Sequence, residues 1–203
     1  QAKAFRFPEL TAQSLLGGDV SISSQGDGLF ATGKWTVLGC AGSNFSQPMV
    51  DGWLESLAPL LPDSAAAPAA AAAERASASA ADEGSPSRED GAEAASAASL
   101  LPLQVRWLSF VEGRVLSWIA RPLMMSMRAS VPRERHERFL CHFAVDTVEV
   151  RKVLLMQNRY LGYVCLVDPQ GVVRWHVHGN ELPSEQEASR FRALVRKSCA
   201  RVA

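Results

Sequence analysis

No stretch of about 20 consecutive apolar residues occurs in the chain, so the sequence encodes no transmembrane helix. Cysteine is sparse and scattered. Cys40, Cys141, Cys165 and Cys199 form no CxxC and no close pair, which leaves neither a zinc knuckle nor a dithiol redox motif. The expected state of all four is a reduced, buried thiol. There is no Gly-rich phosphate loop, no GxSxG elbow and no paired-carboxylate signature, so no motif points to an enzyme, a cofactor or a small-molecule substrate. Net charge is absent as well, at +0 overall. That sum conceals an asymmetry: residues 1 to 62 carry three basic and five acidic groups, residues 63 to 100 two and seven, and residues 101 to 203 sixteen and nine. The C-terminal half is thus basic, a composition suited to an anionic surface or an acidic partner.

Residues 63 to 99 contain no aromatic and no β-branched side chain. A stretch of Ala, Ser and acidic residues cannot bury enough apolar area to offset its ordering entropy, so it reads as a disordered insertion with local helix in the Ala run. The flanks, 1 to 62 and 100 to 203, are each short for an independent domain. One domain interrupted by a long loop accounts for both, because loop length costs little once its ends are close.

What is present has α/β patterning. An extended opening, "FRFPELTAQSLLGGDVSI", breaks at a Gly pair. A strand follows over residues 34 to 40, then a helix entered at Ser46 with Met49, Trp53 and Leu57 recurring every four residues. After the insertion, "LQVRWLSFV" predicts a second strand, and Leu116, Ile119, Leu123 and Met127 have helical spacing with a bend expected at Pro122. "ERHERFLCHFA" and "VEVRKVLLM" are each ambiguous between helix and strand. Residues 158 to 179 read as a hairpin whose turn, Asp168-Pro169-Gln170-Gly171, supplies an Asx acceptor, a fixed φ and a glycine. Its first strand alternates Tyr163, Cys165 and Val167 with Val164 and Leu166, which predicts packing on both faces. A helix opening at Ser184, acidic early and basic late, closes the chain. The order β, α, β, α, β-hairpin, α predicts a thioredoxin-like fold, a central mixed sheet flanked by helices.

In that fold the reactive thiols occupy the loop after the first central strand, at a helix N-terminus. Here that loop is "AGSNFSQPM", without cysteine. The segment before the hairpin, "YLG", lacks the proline that redox members place beside their thiols. His176 and His178 are predicted to project from one strand face with Arg174, where Glu181 would be the nearest third ligand. A guanidinium there disfavours a cation, so no metal site is expected. Cys141 and His142, being adjacent, point apart.

Asn158, Gly162-Tyr163-Val164, Leu166-Val167-Asp168, Arg174-Trp175, Gly179 and Glu185 together resemble the C-terminal signature of the mitochondrial ATPase complex assembly factor ten family. In that family N-x(3)-G-Y-V-x-L-x-D runs into I-R-W and a glycine. "FPEL", "LLGGDVSI" and "WTVL" are similar to its redoxin-like opening. His176 and Val177 depart from the pattern, standing where a small residue and glycine usually follow the Trp, and residues 63 to 99 are foreign to it. The resemblance implies a non-catalytic chaperone of the Fo sector, peripheral on the matrix side of the inner membrane. Its partners would be subunit a, the subunit c ring and an anionic bilayer surface, with no nucleic acid. Arg174, Trp175 and His178, near the hairpin's end, are the expected partner contacts. Two other readings stand beside it: a structural thioredoxin-like subunit of a large mitochondrial complex, and a degenerate redoxin using Cys40 or Cys165.

Replacing residues 63 to 99 by a short Gly/Ser linker is expected to leave the thermal unfolding midpoint within a few degrees, the shift of about 1 kcal/mol or less. Loss of cooperative unfolding would place the segment in the core.

Overall fold

The computed structural model describes residues 5–61, 102–114 and 118–200. The segment read as an insertion, 63 to 99, lies outside them. Eight strands among the described residues share one sheet: β1 (Phe5–Arg6), β2 (Leu10–Ser14), β3 (Asp19–Ile22), β4 (Trp35–Ala41), β5 (Leu103–Glu112), β6 (Phe139–Ala144), β7 (Gly162–Val167) and β8 (Val172–Gly179). Their order is β1-β8-β7-β4-β5-β6-β2-β3. β5 lies parallel to both β4 and β6, whereas β7 runs antiparallel to β4 and β8 to β7. Among the described residues lie helices α1 (Gln47–Glu55), α2 (Ala120–Ser130), α3 (Val148–Val153) and α4 (Glu185–Cys199). This is the thioredoxin-like plan expected from the element order. Strands from both flanks of residues 63 to 99 meet in it, since β4 and β5 pair along their length.

All seven residues of β4 are buried, as the continuous apolar run WTVLGCA requires of a central strand covered on both faces. On one face Val37, Val105, Val164 and Leu166 meet Val50, Trp53 and Leu54 of α1, Met124 of α2 and Phe191 and Val195 of α4. On the other, Leu38, Cys40, Leu108, Tyr163 and Cys165 meet Phe7, Leu29 and Phe30 of the N-terminal region and Leu154 and Met156 near α3. The two-faced packing predicted for the hairpin is therefore present.

Glycine sets how near α1 can come. A Cβ on Gly39 would lie 2.4 Å from Val50 Cγ1 and 2.7 Å from Leu54 Cδ1; one on Gly162 would lie 2.8 Å from Met49 Sδ and 2.9 Å from the Ser46 carbonyl oxygen.

Several local readings change. The Gly17-Gly18 break is the turn of a β2–β3 hairpin, both glycines having positive φ (+106° and +89°). α1 does start after Ser46, but the Ser46 hydroxyl does not cap it and donates instead to the Ser43 carbonyl at 2.8 Å. Pro122 sits in the first turn of α2, where its missing N–H has no helical partner to lose, and the helical run is interrupted ahead of it at Ile119; Leu116 lies outside the described residues. Of the two ambiguous stretches, the first ends in strand β6 and the second forms the short helix α3. Ser184 opens α4 with a full capping box: Glu187 N–H donates to the Ser184 hydroxyl at 3.3 Å and Ser184 N–H to the Glu187 carboxylate at 2.9 Å.

Gly39→Ala and Gly162→Ala are each expected to cost about 1–3 kcal/mol through overpacking beneath α1, read as a fall of roughly 3–10 °C in the thermal midpoint. An unchanged midpoint would show that α1 can lift off without cost.

Candidate functional site

The hairpin signature is chiefly an internal brace. Asp168 is 2% exposed. Its Oδ1 accepts the N–H groups of Gln170 (3.0 Å) and Val172 (2.8 Å), and its Oδ2 accepts Arg174 Nε at 2.6 Å. Gly171, at φ +76°, closes the turn with its N–H on the Asp168 carbonyl. Asn158 Oδ1 accepts the Tyr160 N–H at 2.9 Å, and the Asn158 backbone exchanges hydrogen bonds with the Tyr163 hydroxyl, each at 3.2 Å. Gly179 pairs with Gly162 across the strands.

The three expected contact residues do not converge. Val173 pairs with Val167 but Trp175 with Leu166, so Arg174 is the extra residue of a β-bulge. The bulge takes Arg174 out of the alternation that was to align it with His176 and His178, and its guanidinium is spent on Asp168. Trp175 packs inward, stacked on Phe191 (centroids 4.5 Å) and tilted against Trp53 (5.7 Å). His178, exposed, stacks on Tyr163 at 5.6 Å, while His176 lies against Phe5 at 6.1 Å. Burial and the neighbouring His178 lower the His176 pKa.

A cleft of about 620 Å³ lies at the carboxyl ends of β4 and β5, where sheets of this kind place their ligands. The loop after β4 and the start of α1 form one wall and α2 another. Four of its five charged lining residues, Asp51, Glu112, Arg135 and Arg151, are held in ion pairs, and the fifth, Arg159, lies 5.6 Å over the Tyr160 ring. Arg135 bridges Asp51 at 3.2 Å and Glu55, and lies 5.3 Å over the Trp107 ring. Trp107 Nε1 donates to Asp51 at 2.8 Å. Arg151 pairs with Glu112 at 3.3 Å and donates to the Thr147 hydroxyl at 3.0 Å. Among its described lining residues there is no cysteine and no histidine. Phe45, 81% exposed, stands in the same loop after β4.

The thiols are elsewhere. Cys40 and Cys165 lie in the layer facing α3 and Cys141 and Cys199 in the opposite one. Burial pushes the Cys40 pKa well up, Cys141 and Cys165 to about 12 and Cys199 to about 11. A thiolate nucleophile is disfavoured at all four. Among the described residues no group of three or more His, Cys, Asp or Glu could hold a metal ion.

The sequence model of the ATP10 protein family matches residues 1–194. The chain belongs to that family. It is 36% identical over 93 residues to the mitochondrial ATPase complex subunit ATP10 of Eremothecium gossypii, an alignment covering 45% of this chain and 34% of that protein. With the protein of the same name from Candida glabrata it shares 32% over 77 residues, 37% of this chain and 28% of that one. The match thus spans about a third of each curated relative. Among solved structures the fold is similar to BsSco, a member of the Sco family of cytochrome c oxidase assembly proteins, at a TM-score of 0.51 and 15% identity over 97% of this chain and 94% of that one. That likeness is one of fold alone.

Sequence reasoning missed the cleft, whose ionic wall joins residues far apart in the chain, Glu55 and Arg135 being 80 positions apart.

In the native protein at neutral pH, the four cysteines are expected to react with a thiolate-selective reagent at least tenfold more slowly than after denaturation, because each is buried with a raised pKa. A rapid native burst would revive the redoxin reading.

Proposed function

We propose that this chain is a non-catalytic assembly factor for the mitochondrial ATPase complex, acting on the Fo sector. It holds subunit a until that subunit joins the subunit c ring. It works from the matrix side as a peripheral protein of the inner membrane. Family membership supports the assembly role. The observation that carries the non-catalytic part is the cleft at the carboxyl ends of the parallel strands: the place where a redoxin keeps its thiols is walled by Asp51, Arg135, Glu112 and Arg151, already held in ion pairs, with Arg159 beside them. Such a wall is stiff and polar, suited to holding a segment of another chain.

No helix among the described residues is long and apolar enough to cross a membrane, which agrees with peripheral attachment. A newly made membrane subunit exposes polar helix faces until its ring arrives, and a factor of this kind shields the matrix-side parts. Residues 1 to 62 and 100 to 203 act as one thioredoxin-like domain in this reading. On β8, His178 is exposed and is the contact this reading keeps, while Arg174 and Trp175 support it from within the fold, one paired with Asp168 and the other packed on Phe191.

The curated relatives are themselves called subunits of the complex, which favours a second reading: a stoichiometric scaffold that stays in a finished particle.

Depletion of the protein is expected to leave the catalytic F1 head assembled while labelled subunit a fails to enter the Fo sector on native gels. Normal incorporation would refute the chaperone role. Recovery of the protein in the mature particle at one copy per complex would favour the scaffold.

A further inference from the structure

The outer side of α2 has the chemistry of a membrane-surface helix. Arg121, Met125 and Arg128 follow one another along α2 at spacings of four and three residues, so they form one ridge, and Trp118 lies just ahead of the helix, before its N-cap Ile119. The inward side carries Met124, buried in the core, with Met127 and Val131 packed against it. The ridge is left bare. Trp118 is 91% exposed, Met125 69% and the neighbouring Ile119 44%. Arg128 Nε donates to the Leu15 carbonyl, which sets Leu16, 64% exposed, beside the same ridge. From residue 118 to residue 133 the sequence has three arginines and no Asp or Glu. The acidic group on the N-terminal side, Glu112, is tied to Arg151.

An unpaired indole, a thioether and two aliphatic side chains exposed between arginines are costly in water. Each is favourable at a headgroup boundary, where Trp lies at the interface and guanidinium groups meet phosphate. A protein partner would need its own acidic residues to satisfy this ridge, whereas an anionic leaflet supplies them everywhere. We infer that the Arg121–Met125–Arg128 ridge of α2, together with Trp118 just ahead of the helix, is a docking surface for an anionic phospholipid bilayer, with Trp118 as its interfacial anchor. The inference deepens the peripheral-membrane part of the reading above and rests on it for the source of the bilayer. It names the attachment face, which that reading leaves unassigned.

The test uses the purified full chain in flotation with vesicles of phosphatidylcholine alone or with about a quarter phosphatidylglycerol. Flotation is expected with the anionic vesicles only, weakening as salt rises. Trp118→Ser with Met125→Ser should lower binding at least tenfold. Arg121→Glu should lower it about fivefold or more, the loss of one surface arginine being worth about 1 kcal/mol. Arg121 and Trp118 make no buried contact, so unchanged thermal midpoints are expected and would show that the variants are folded. Brominated lipid should quench the native protein more than Trp118→Phe. Equal flotation of variant and native protein would overturn the inference. So would failure to bind either vesicle, and if the same variants then impaired ATPase assembly in mitochondria, the ridge would be a protein interface instead. No ATPase subunit is present in the vesicle assay, so its failure is separate from failure of the assembly role.

Discussion

The closeness of α1 to the sheet depends on two hydrogens. At Gly39 on β4 and Gly162 on β7 any side chain would enter the space held by Val50, Leu54 and Met49 or meet the Ser46 carbonyl. Because the helix sits that low, Trp53 can reach across to Phe191 and Trp175, so α1, α4 and β8 share one aromatic cluster. The start of α1 is held at the end of β4 for the same reason, which gives the cleft its first wall. Packing and site geometry therefore rest on one close approach.

The Asp168 turn is a second constraint, of a different kind. A carboxylate removed from water is stable only when its lone pairs are filled, and here three donors fill them, one of them charged. The most distinctive residues of the chain are thus consumed in holding the hairpin. They identify the family while contributing little surface, and the groups able to meet another molecule lie elsewhere, at the cleft and on α2.

This division explains what could be read from the amino acids alone. The hairpin turn and the helix at Ser184 were legible because their chemistry is local: an Asx acceptor with a glycine three positions on, and a Ser with a Glu three positions on. β6 was not, since "ERHERFLCHFA" has no decisive period and becomes a strand by pairing with β5 and β2, both distant in sequence. The bulge at Arg174 was equally hidden, because alternation along β8 assumes a ladder without an extra residue. The cleft was illegible for the same reason as β6: Asp51, Trp107 and Arg135 become neighbours only once the sheet has formed.

The crossover from β4 through α1 to β5 returns the chain to the opposite pole from the cleft. Leu60 is buried there, in the layer that holds Trp35 and Leu103, and the Trp35 N–H donates to the Pro102 carbonyl at 2.7 Å. Leu61 and Pro102, the described residues on either side of positions 62 to 101, are therefore held at the amino ends of the parallel strands. A fluorescent reporter or affinity tag spliced between Leu61 and Pro102 would emerge from the back of the molecule. Such a fusion would leave the mouth between α1 and α2 open for tracking whatever enters it.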